Sequence, residues 1–573
     1  MTKSKAFNQS RQLTIDFTEN TYCEANIFFR QLTVTNSADY KRNLRLVFFQ
    51  DFHLYGDGVG DTGFYRQDIQ AVIHYKKSVF FLLGLLYGEK KPRMDDFDIS
   101  EKAAVSWEMP QHPIHQGEVT SSLAVNLDIE PGSSKEVTFY MVAADNLDNV
   151  CNLQTEFLQK GVGPHLKHTQ MCQRGWLASV TTDLSPMPEN IQELYKRSLL
   201  IIKTQVDKHG AIIAANDSDN INFNKDTYSY MWPRDGALVA KTMIKAGFAE
   251  FIKPFFTFCE RVLFSEGCLL HKYNPDGTLG SSWHPWVVNG KQSLPIQEDE
   301  TALVLDALWE YYQVTNDKEF IKKLYPTLIQ PMGNFLSRYR YDNGLPKESY
   351  DLWEERRGIF TFTTSAVLSG LKAAQKLGQI VADKEFCQRC QLGFDPVLAI
   401  FTSAFYKSDP GYFRRGVSYE SGEITYDDAL DASVYGVFEF GVLAANDPMV
   451  VATMNKVKEW LWVKTDVGGV ARYANDYYYQ KSNDIDKVPG NPWFICTLWY
   501  AKWLIAKAKS KEDLNQALIL INWVGDHALP SGVLSEQVHP LFGKPLSVSP
   551  LTWSHAEFVD TITNYCKKYK QLI

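Results

Sequence analysis

The sequence predicts a β-domain followed by an all-α domain, with residues 1–149 as an antiparallel β-sandwich, 150–188 as a linker and 189–573 as a helical domain. Two observations lead to this division. The first part holds short β-rich segments separated by turn residues and shows no helical period. After the proline-containing segment 184–188, apolar residues recur at helical spacing from Glu189 onward. A chain of 573 residues has room for more than one such domain.

The strand-like segments of the first part alternate with turns rich in glycine and proline. Gly56-Asp57-Gly58 and Pro131-Gly132 are two of these turns. Strands at this spacing are typical of an antiparallel sandwich. The predicted strands are 25–35, 44–53, 69–75 and 121–129.

About twelve helical segments follow the boundary. They predict pairs of helices closed into a double-layered α/α toroid, although an open solenoid has the same helix count. Long aromatic and acidic loops alternate with short connections, and in alternating up-down helices every second connection lies at the same end. The long loops should therefore meet on one face, which favours the closed form. The predicted helices are 190–207, 234–246, 249–264, 299–315, 317–339, 361–379, 382–406, 428–444, 448–463, 491–508, 511–527 and 552–569.

Composition argues against several classes of function. Lys and Arg total 59 against 67 Asp and Glu, so the net charge of -8 leaves no basic excess for binding nucleic acid. Nine cysteines are too dispersed for a disulfide framework. The longest apolar run, 79–87, is far shorter than the ~20 residues that span a bilayer, and the polar N-terminus shows no secretory signal. We therefore expect a soluble cytoplasmic protein without nucleic-acid or membrane partners.

Two short motifs have plainer explanations than cofactor binding. Residues 58–63 match G-x-G-x-x-G, but a strand-like segment follows them, and 69–88 contain no acidic residue that could bind a ribose. Cys387 and Cys390 lie in a predicted helix without a second cysteine pair or nearby histidines. Neither H-E-x-x-H nor G-x-S-x-G is present. The sequence thus predicts neither a metal nor an organic cofactor.

The first long loop brings charged and aromatic side chains together. Tyr228 and Trp232 are followed directly by Arg234 and Asp235. Charged groups can bind the hydroxyls of a sugar while an aromatic face covers its carbons. Alternatively, Asp235 only caps the helix that begins at Gly236.

The third long loop holds three carboxylates within five residues, Asp351, Glu354 and Glu355, flanked by Tyr350 and Trp353. In a closed pocket, their proximity and apolar neighbours would raise the pKa of one carboxyl and make it a proton donor at neutral pH. Glu354 and Glu355 are adjacent and cannot point the same way, so we expect only one of them to be the donor. A solvated acidic patch, or the start of the following helix, is the alternative.

The fifth and sixth long loops add further candidates. Residues 472–479 contain Arg472 and four tyrosines, and the same loop ends at Trp493; such aromatic loops are poor core material. Glu536 in the last loop should lie on the same face as Glu354 and become a second carboxylate. Two carboxylates among aromatic side chains, without a metal or nucleotide motif, are the parts of glycoside hydrolysis.

Four motifs lie in order between Tyr228 and Ser554: Y-x-Y-x-W-x-R-D, Y-D-L-W-E-E, R-Y-x-x-D-x-Y with G-N-P-W-F, and S-E-Q followed by L-T-W-S. Together they resemble the motifs of glycoside hydrolase family 15, the glucoamylase family, and this resemblance implies an (α/α)6 barrel. The β-rich first part resembles the sandwich that precedes the barrel in prokaryotic members of that family.

The resemblance implies a role for each matching residue. Glu354 matches the general acid that protonates the glycosidic oxygen, and Glu536 matches the general base that activates water on the opposite face of the sugar. Because the family inverts configuration, the two carboxyl groups should lie ~6.5–9.5 Å apart. Tyr228 matches the tyrosine near the attacking water. The residues that match substrate contacts are Tyr228, Trp232, Arg234, Asp235, Asp351, Trp353, Glu355, Arg472 and Trp493.

The resemblance also implies an activity: an exo-acting α-glucosidase that releases β-D-glucose from the non-reducing ends of maltooligosaccharides or α-glucans. Trehalose and isomaltose- or dextran-type α-glucosides are alternative substrates, and a non-catalytic carbohydrate-binding or regulatory protein is an alternative of another class. Linkage preference stays open because three places depart from the family pattern: the insertion 480–489, the loop with Trp283 and Trp286, and His555. Oligomeric state, a structural calcium ion and the role of the first domain stay open as well.

Overall fold

The computed structural model describes residues 1–88, 90–216 and 227–572. The chain divides into two compact units, Met1–Ala178 and Ser179–Ile573. This division falls inside the segment 150–188 that we expected to be a linker.

The first unit is built from antiparallel strands. They are β1 (Thr2–Asn8), β2 (Leu13–Thr21), β3 (Ile27–Asn36), β4 (Arg42–Asp51), β5 (Asp61–Arg66), β6 (Ala71–Lys76), β7 (Val79–Tyr87), β8 (Lys91–Pro92), β9 (Asp96–Ser100), β10 (Ile114–Gly117), β11 (Thr120–Ile129) and β12 (Ser134–Ala144). A larger sheet has the order β1-β2-β3-β12-β7-β6-β5-β10, with β8 beside β7, and a smaller sheet has the order β4-β11-β9.

The two sheets pack face to face, as the sandwich prediction requires. Leu83 and Val137 of the larger sheet share one buried apolar cluster with Leu123 and Val125 of the smaller sheet. On β11, residues 120–125 are buried on both faces of the strand, because it is the central strand of its sheet and neighbouring segments cover it.

Two helices cover the other face of the larger sheet. They are α1 (Leu147–Lys160) and α2 (Val162–Leu177). Phe157 of α1 packs in one apolar cluster with Phe29 and Tyr140 of the sheet. Residues 150–178 therefore belong to the first unit, where we expected a linker. Both faces of the larger sheet are apolar, so the face away from the smaller sheet needs this cover.

The second unit is helical. Its helices are α3 (Glu189–Thr204), α4 (Pro233–Lys245), α5 (Ala249–Val262), α6 (Glu298–Thr315), α7 (Lys318–Leu324), α8 (Gln330–Arg338), α9 (Thr361–Ile380), α10 (Lys384–Phe405), α11 (Gly436–Glu439), α12 (Pro448–Leu461), α13 (Phe494–Lys507), α14 (Lys511–His527) and α15 (Thr552–Gln571). A π-helical turn, Tyr325–Ile329, joins α7 to α8 in one continuous rod, which corresponds to the predicted helix 317–339.

One predicted helix is much shorter than expected. The segment 428–444 forms only a 3₁₀ turn, Ala432–Tyr435, and the four-residue α11. Asp431 fixes the start, because its side chain accepts a hydrogen bond from the backbone of Ser433. Gly441 ends it with a φ of 71°, a left-handed conformation that a helix cannot continue through.

The inner helices form a closed ring. Contacts run from α4 to α6, to α9, to the turn Ala432–Tyr435 with α11, to α13, to α15 and back to α4. The remaining helices pack outside this ring. At one crossing, a Cβ on Gly370 of α9 would lie 2.8 Å from the backbone of Ala302 on α6, so this close approach requires glycine. The closed (α/α)6 barrel is thereby confirmed, and the solenoid alternative is wrong.

Each long connection leads into the N-terminal end of an inner helix, so these loops meet at one end of the barrel. Some contain short strands that the periodicity analysis did not predict. The largest set is a four-stranded sheet whose strands lie in the order Ser349–Tyr350, Arg357–Phe360, Gly416–Glu420 and Glu423–Asp427. Among the helices that the structure describes, none has the length and apolar character needed to cross a bilayer.

Candidate active site

A cavity of about 410 Å³ opens among the long loops. All but one of the predicted site residues line it, together with several residues that the sequence analysis did not select. The predicted residues that line it are Tyr228, Trp232, Arg234, Asp235, Trp353, Glu354, Glu355, Arg472, Trp493 and Glu536.

Asp351 is the exception, because its carboxylate holds a turn of the backbone. Its Oδ1 accepts hydrogen bonds from the backbone N–H groups of Glu355 and Arg356 at 2.7 and 3.1 Å, and its carbonyl accepts from Glu354 N at 2.9 Å. The tight turn gives Glu354 a φ of 64°. Asp351 is therefore a positioning residue for Glu354 and Glu355, and we correct the expectation that it contacts substrate.

The carboxyl of Glu354 lies among cationic and polar groups. Its Oε2 is 2.9 Å from Nε2 of His271, and its Oε1 is 3.9 Å from Nη2 of Arg234. Burial raises the pKa of Glu354, but the charges of His271, Arg234 and Lys272 outweigh it and lower the pKa to about 2. In this loop, burial instead raises the pKa of Asp351 to about 7. One carboxyl of this loop therefore has a raised pKa, as expected, but it is Asp351, and the pKa of Glu354 moves in the opposite direction.

His271 contacts neighbouring side chains through both ring nitrogens and through the face of its ring. Its Nδ1 is 2.7 Å from Oγ of Ser282, its Nε2 is 3.3 Å from the indole Nε1 of Trp232, and its ring stacks on His284 with 3.9 Å between centroids. The ring of His284 in turn stacks on Tyr350 at 3.6 Å. The sequence analysis missed His271 because a single histidine in a loop has no pattern, and the aromatic rings around it come together only in the fold.

Glu355 points into a network of cations. Its Oε1 accepts a hydrogen bond from Arg472 at 2.8 Å, and its Oε2 accepts from Tyr473 and Arg356. Arg472 also forms two hydrogen bonds with Asp476, at 2.6 and 2.7 Å. Both carboxylate oxygens of Glu355 are thus engaged by side chains of the protein.

The guanidinium of Arg472 stacks between two aromatic rings. Its Cζ lies 4.8 Å from the ring centroids of both Trp353 and Trp493. Trp353 is fixed by its indole N–H, which donates to Asp431 at 2.9 Å. These contacts fix the positions of Arg472 and Trp353 in the cavity wall.

Glu536 belongs to the last of the four motifs, S-E-Q, and its side chain is buried. Burial raises its pKa to about 7, although hydrogen bonds from Ser547 and Gln537 and the charge of Arg472 act in the other direction. Gln537 accepts a hydrogen bond from the amide of Asn491 at 2.8 Å, so the S-E-Q and G-N-P-W segments are tied together.

The start of α15 supports the Glu536 segment from behind. The backbone N–H of Leu534 donates to Nε2 of His555 at 3.0 Å, and Oγ of Ser554 donates to the carbonyl of Ser535 at 2.9 Å. His555 is completely buried, and burial lowers its pKa to about 3. This neutral imidazole is thus a structural acceptor rather than a sugar contact.

Arg234 and Asp235 lie in the first turn of α4. Their side chains pair at 3.1 Å, and Arg234 also contacts Gln297 and, at 3.6 Å, Asp299. The N-cap position is occupied by Trp232, which makes no side-chain cap. Asp235 therefore does not act as the helix cap, and its carboxylate faces the cavity beside Arg234.

The two tryptophans of the second long loop occupy different places. Trp283 lines the cavity, and its indole N–H donates to the carbonyl of Glu354 at 3.1 Å. Trp286 instead packs against Phe264, with 5.8 Å between ring centroids. Lys272, a second residue that the sequence analysis missed, has its amine 4.4 Å from the ring centroid of Trp283.

The cavity has the components of acid–base chemistry on a neutral polyhydroxylated ligand. Two carboxyl groups have pKa values displaced in opposite directions, and aromatic rings and ion pairs line the wall between the loops. In the part of the chain that the structure describes, a cluster of potential metal ligands lies elsewhere, in the first unit.

Comparison with known proteins agrees with this architecture. The family model of glycosyl hydrolases family 15 matches residues 189–522. An uncharacterized glycosyl hydrolase of Methanocaldococcus jannaschii is 25% identical over 93% of this chain and 83% of its own. A glucoamylase of Clostridium sp. is 26% identical over 64% of this chain and 52% of its own, and trehalase 2 of Sulfolobus acidocaldarius is 23% identical over 66% and 64%.

Among solved structures, a bacterial glucoamylase complexed with acarbose matches with a TM-score of 0.75 at 18% identity, covering 100% of this chain and 86% of that chain. That likeness extends over both units and shows a shared fold. Since the family model covers more than half of the chain, this protein belongs to glycosyl hydrolase family 15, a family of glycosidases.

Proposed function

We propose that the protein is an inverting exo-acting glucosidase that releases β-D-glucose from the non-reducing ends of α-linked glucooligosaccharides. The observation that supports this most strongly is that Glu354 and Glu536 line one cavity with the residues expected to bind a terminal glucose. A cavity of about 410 Å³ is near the lower end of the ~300–1,000 Å³ usual for small-ligand sites. It suits the end of a sugar chain better than its middle.

In this proposal Glu354 donates the proton, and its contact with His271 explains how. When Nε2 of His271 is unprotonated, its one lone pair can accept a hydrogen bond from a protonated Glu354 across the 2.9 Å contact. The indole N–H of Trp232, 3.3 Å from the same nitrogen, is then the weaker contact. A protonated Glu354 is the state that a general acid needs.

The charged form of His271 has the opposite effect, because it lowers the pKa of Glu354. Protonation of Glu354 therefore depends on its 2.9 Å contact with His271. Substrate that excludes water from the cavity weakens the solvation of an imidazolium–carboxylate pair and favours the neutral arrangement. His271 is thus a positioning residue that holds the proton at Oε2 of Glu354.

Glu536 is the general base. Burial favours the protonated form of Glu536 below about pH 7, so its role as base requires the carboxylate form above the raised pKa. In that form it takes a proton from water while the water oxygen bonds to the anomeric carbon and the bond from that carbon to the glycosidic oxygen breaks. Glu354 gives its proton to the departing oxygen, so the products are β-glucose and the shortened chain. Glu354 is then anionic and Glu536 protonated, and proton exchange with solvent restores the starting state.

The remaining lining residues bind the terminal sugar. Arg234 and Asp235 present a fixed ion pair for its hydroxyls, and Trp232 offers an aromatic face. Trp283 is 55% exposed, so it is placed to contact the sugar on the leaving side.

The substrate linkage is the finer part of the proposal. Relatives of similar identity are named glucoamylase and trehalase, and a related solved structure is titled as a complex with acarbose. We place α-1,4-linked oligosaccharides first because the motif set is that of glucoamylases. Trehalose is the second candidate, since the leaving-side loop departs from the family pattern.

Proton NMR of the anomeric signals tests activity, linkage and stereochemistry together. The purified protein is incubated in parallel with maltotriose, isomaltose and trehalose, and spectra are collected before mutarotation mixes the anomers. We expect early β-glucose, fastest from maltotriose. Faster release from another sugar would reassign the linkage, early α-glucose would contradict inversion, and release from none would favour a binding protein.

A further inference from the structure

A cluster of metal-binding side chains lies in the first unit, outside the barrel. The ligand atoms of Cys23, His168 and Cys172 all lie within 4.8 Å of one another. Cys23 follows the end of β2, and the other two residues lie on α2. The two sulfur atoms are 2.8 Å apart although 149 residues separate them in sequence.

The spacing on α2 suits a single ligand. His168 and Cys172 are four residues apart, so their side chains lie on the same face of the helix, one turn from each other. Cys23, which follows β2, supplies the third ligand atom. This arrangement lets one ion link the last residues of a strand to a helix packed on the sheet.

A carboxylate orients the imidazole. Oε1 of Glu24 is 2.9 Å from Nε2 of His168, and Oε2 of Glu24 accepts a hydrogen bond from the hydroxyl of Tyr22 at 2.9 Å. A carboxylate that hydrogen-bonds one ring nitrogen and leaves the other for the metal is the usual outer partner of a metal-bound histidine.

We propose that Cys23, His168 and Cys172 bind one divalent cation of the Zn²⁺ class. Two thiolates and one imidazole are ligands that Zn²⁺ prefers, at about 2.3 Å for sulfur and 2.0–2.1 Å for nitrogen. Tetrahedral coordination needs sulfur atoms roughly 3.8 Å apart, which small rotations of these side chains achieve.

One feature favours a cation over a Cys23–Cys172 disulfide. A disulfide gives no reason for an imidazole beside both sulfurs, nor for the Glu24 contact to its ring. A shared cation, in contrast, stabilises two neighbouring thiolates and the imidazole together. The inference does not rest on the proposed glucosidase activity.

Elemental analysis of the tag-free full chain, purified under reducing conditions without chelator and then dialysed against Zn²⁺, tests the proposal. We expect about one zinc per chain, lost in Cys172→Ser and in His168→Ala. Glu24→Gln should weaken Zn²⁺ binding about 10- to 100-fold, as loss of an outer partner does. Cys387→Ser is the matched control, because that cysteine lies in α10, outside the cluster, and its zinc content should equal that of the wild type.

Replacement by Co²⁺ gives a second readout, since tetrahedral thiolate coordination produces intense visible bands that His168→Ala should alter. His168→Ala also keeps the test decisive if Cys172→Ser does not fold. Absence of bound zinc in the wild type, or zinc retained in both variants, would overturn the proposal. A Cys23–Cys172 linked peptide in non-reduced mass spectra of the dialysed chain would overturn it as well.

Discussion

Nε2 of His271 lies 2.9 Å from Oε2 of Glu354, and both side chains are withdrawn from bulk solvent. A charged imidazole at this distance lowers the pKa of Glu354. The contact therefore bears directly on the protonation of the proposed acid.

Replacing His271 by Asn should lower kcat and also change the pH dependence. The amide carries no charge, so the limb of the kcat/KM profile that Glu354 sets should move to higher pH, while the limb set by Glu536 stays in place. Pre-steady-state and steady-state profiles with maltotriose measure this. A variant with lower activity but an unchanged profile would reduce His271 to a packing residue.

Glu536 should make the stability of the second unit depend on pH. Its folded pKa is raised from 4.5 to about 7, so the folded state holds a proton that the unfolded state has lost between these values. The resulting stability is complete below about pH 4.5 and is lost as the pH rises through 7. The difference amounts to about 3 kcal/mol at ~1.4 kcal/mol per pKa unit.

Glu536→Gln is neutral at every pH and lacks this loss. Calorimetry should therefore show the Tm of Glu536→Gln rising relative to wild type between pH 5 and pH 8. Glu385→Gln, with a side chain that is 90% exposed, is a control whose difference from wild type stays flat. A constant Tm difference between Glu536→Gln and wild type from pH 5 to pH 8 would show that Glu536 is ionised across this range.

Trp283 and Trp286 provide a matched pair for the leaving side of the cavity. Trp283→Ala should raise KM for maltotriose about 2- to 12-fold, because an aromatic contact contributes about 0.5–1.5 kcal/mol. Trp286→Ala should leave KM near the wild-type value, since that ring packs on Phe264. Equal effects from the two variants would argue against a sugar contact at Trp283. The ratio of activities on isomaltose and maltotriose should change only with Trp283→Ala.

Much of the helical ring could be predicted because amphipathic helices repeat their apolar residues over many turns. The segments 249–264 and 511–527 agree with α5 and α14 to within two residues. The prediction of a helix over 428–444 was wrong, because hydrophobic periodicity does not show that the left-handed backbone of Gly441 ends the helix. Two-residue strands such as Ser349–Tyr350 carry no period at all, so sequence patterns could not reveal them.

The candidate site was accessible to sequence reasoning where several chemical groups cluster in one loop. Glu354, Glu355 and Arg472 were found in this way. His271 and Lys272 were missed because their role depends on a loop distant in sequence. Asp351 was expected in the cavity because sequence proximity does not reveal the turn that directs its carboxylate toward the backbone of Glu355.

The identity of the acid and of the base is the central claim, and substrates with different leaving groups test it most directly. Fluoride departs from α-D-glucosyl fluoride without needing the full help of a general acid, whereas the oxygen of maltotriose needs its proton. Glu354→Gln should lose about 10²- to 10⁴-fold in kcat on maltotriose but keep most of its activity on the fluoride. Glu536→Gln should lose activity on both, because water activation is required for both. If Glu536→Gln keeps its activity on the fluoride and Glu354→Gln does not, the two roles are reversed and the account is contradicted.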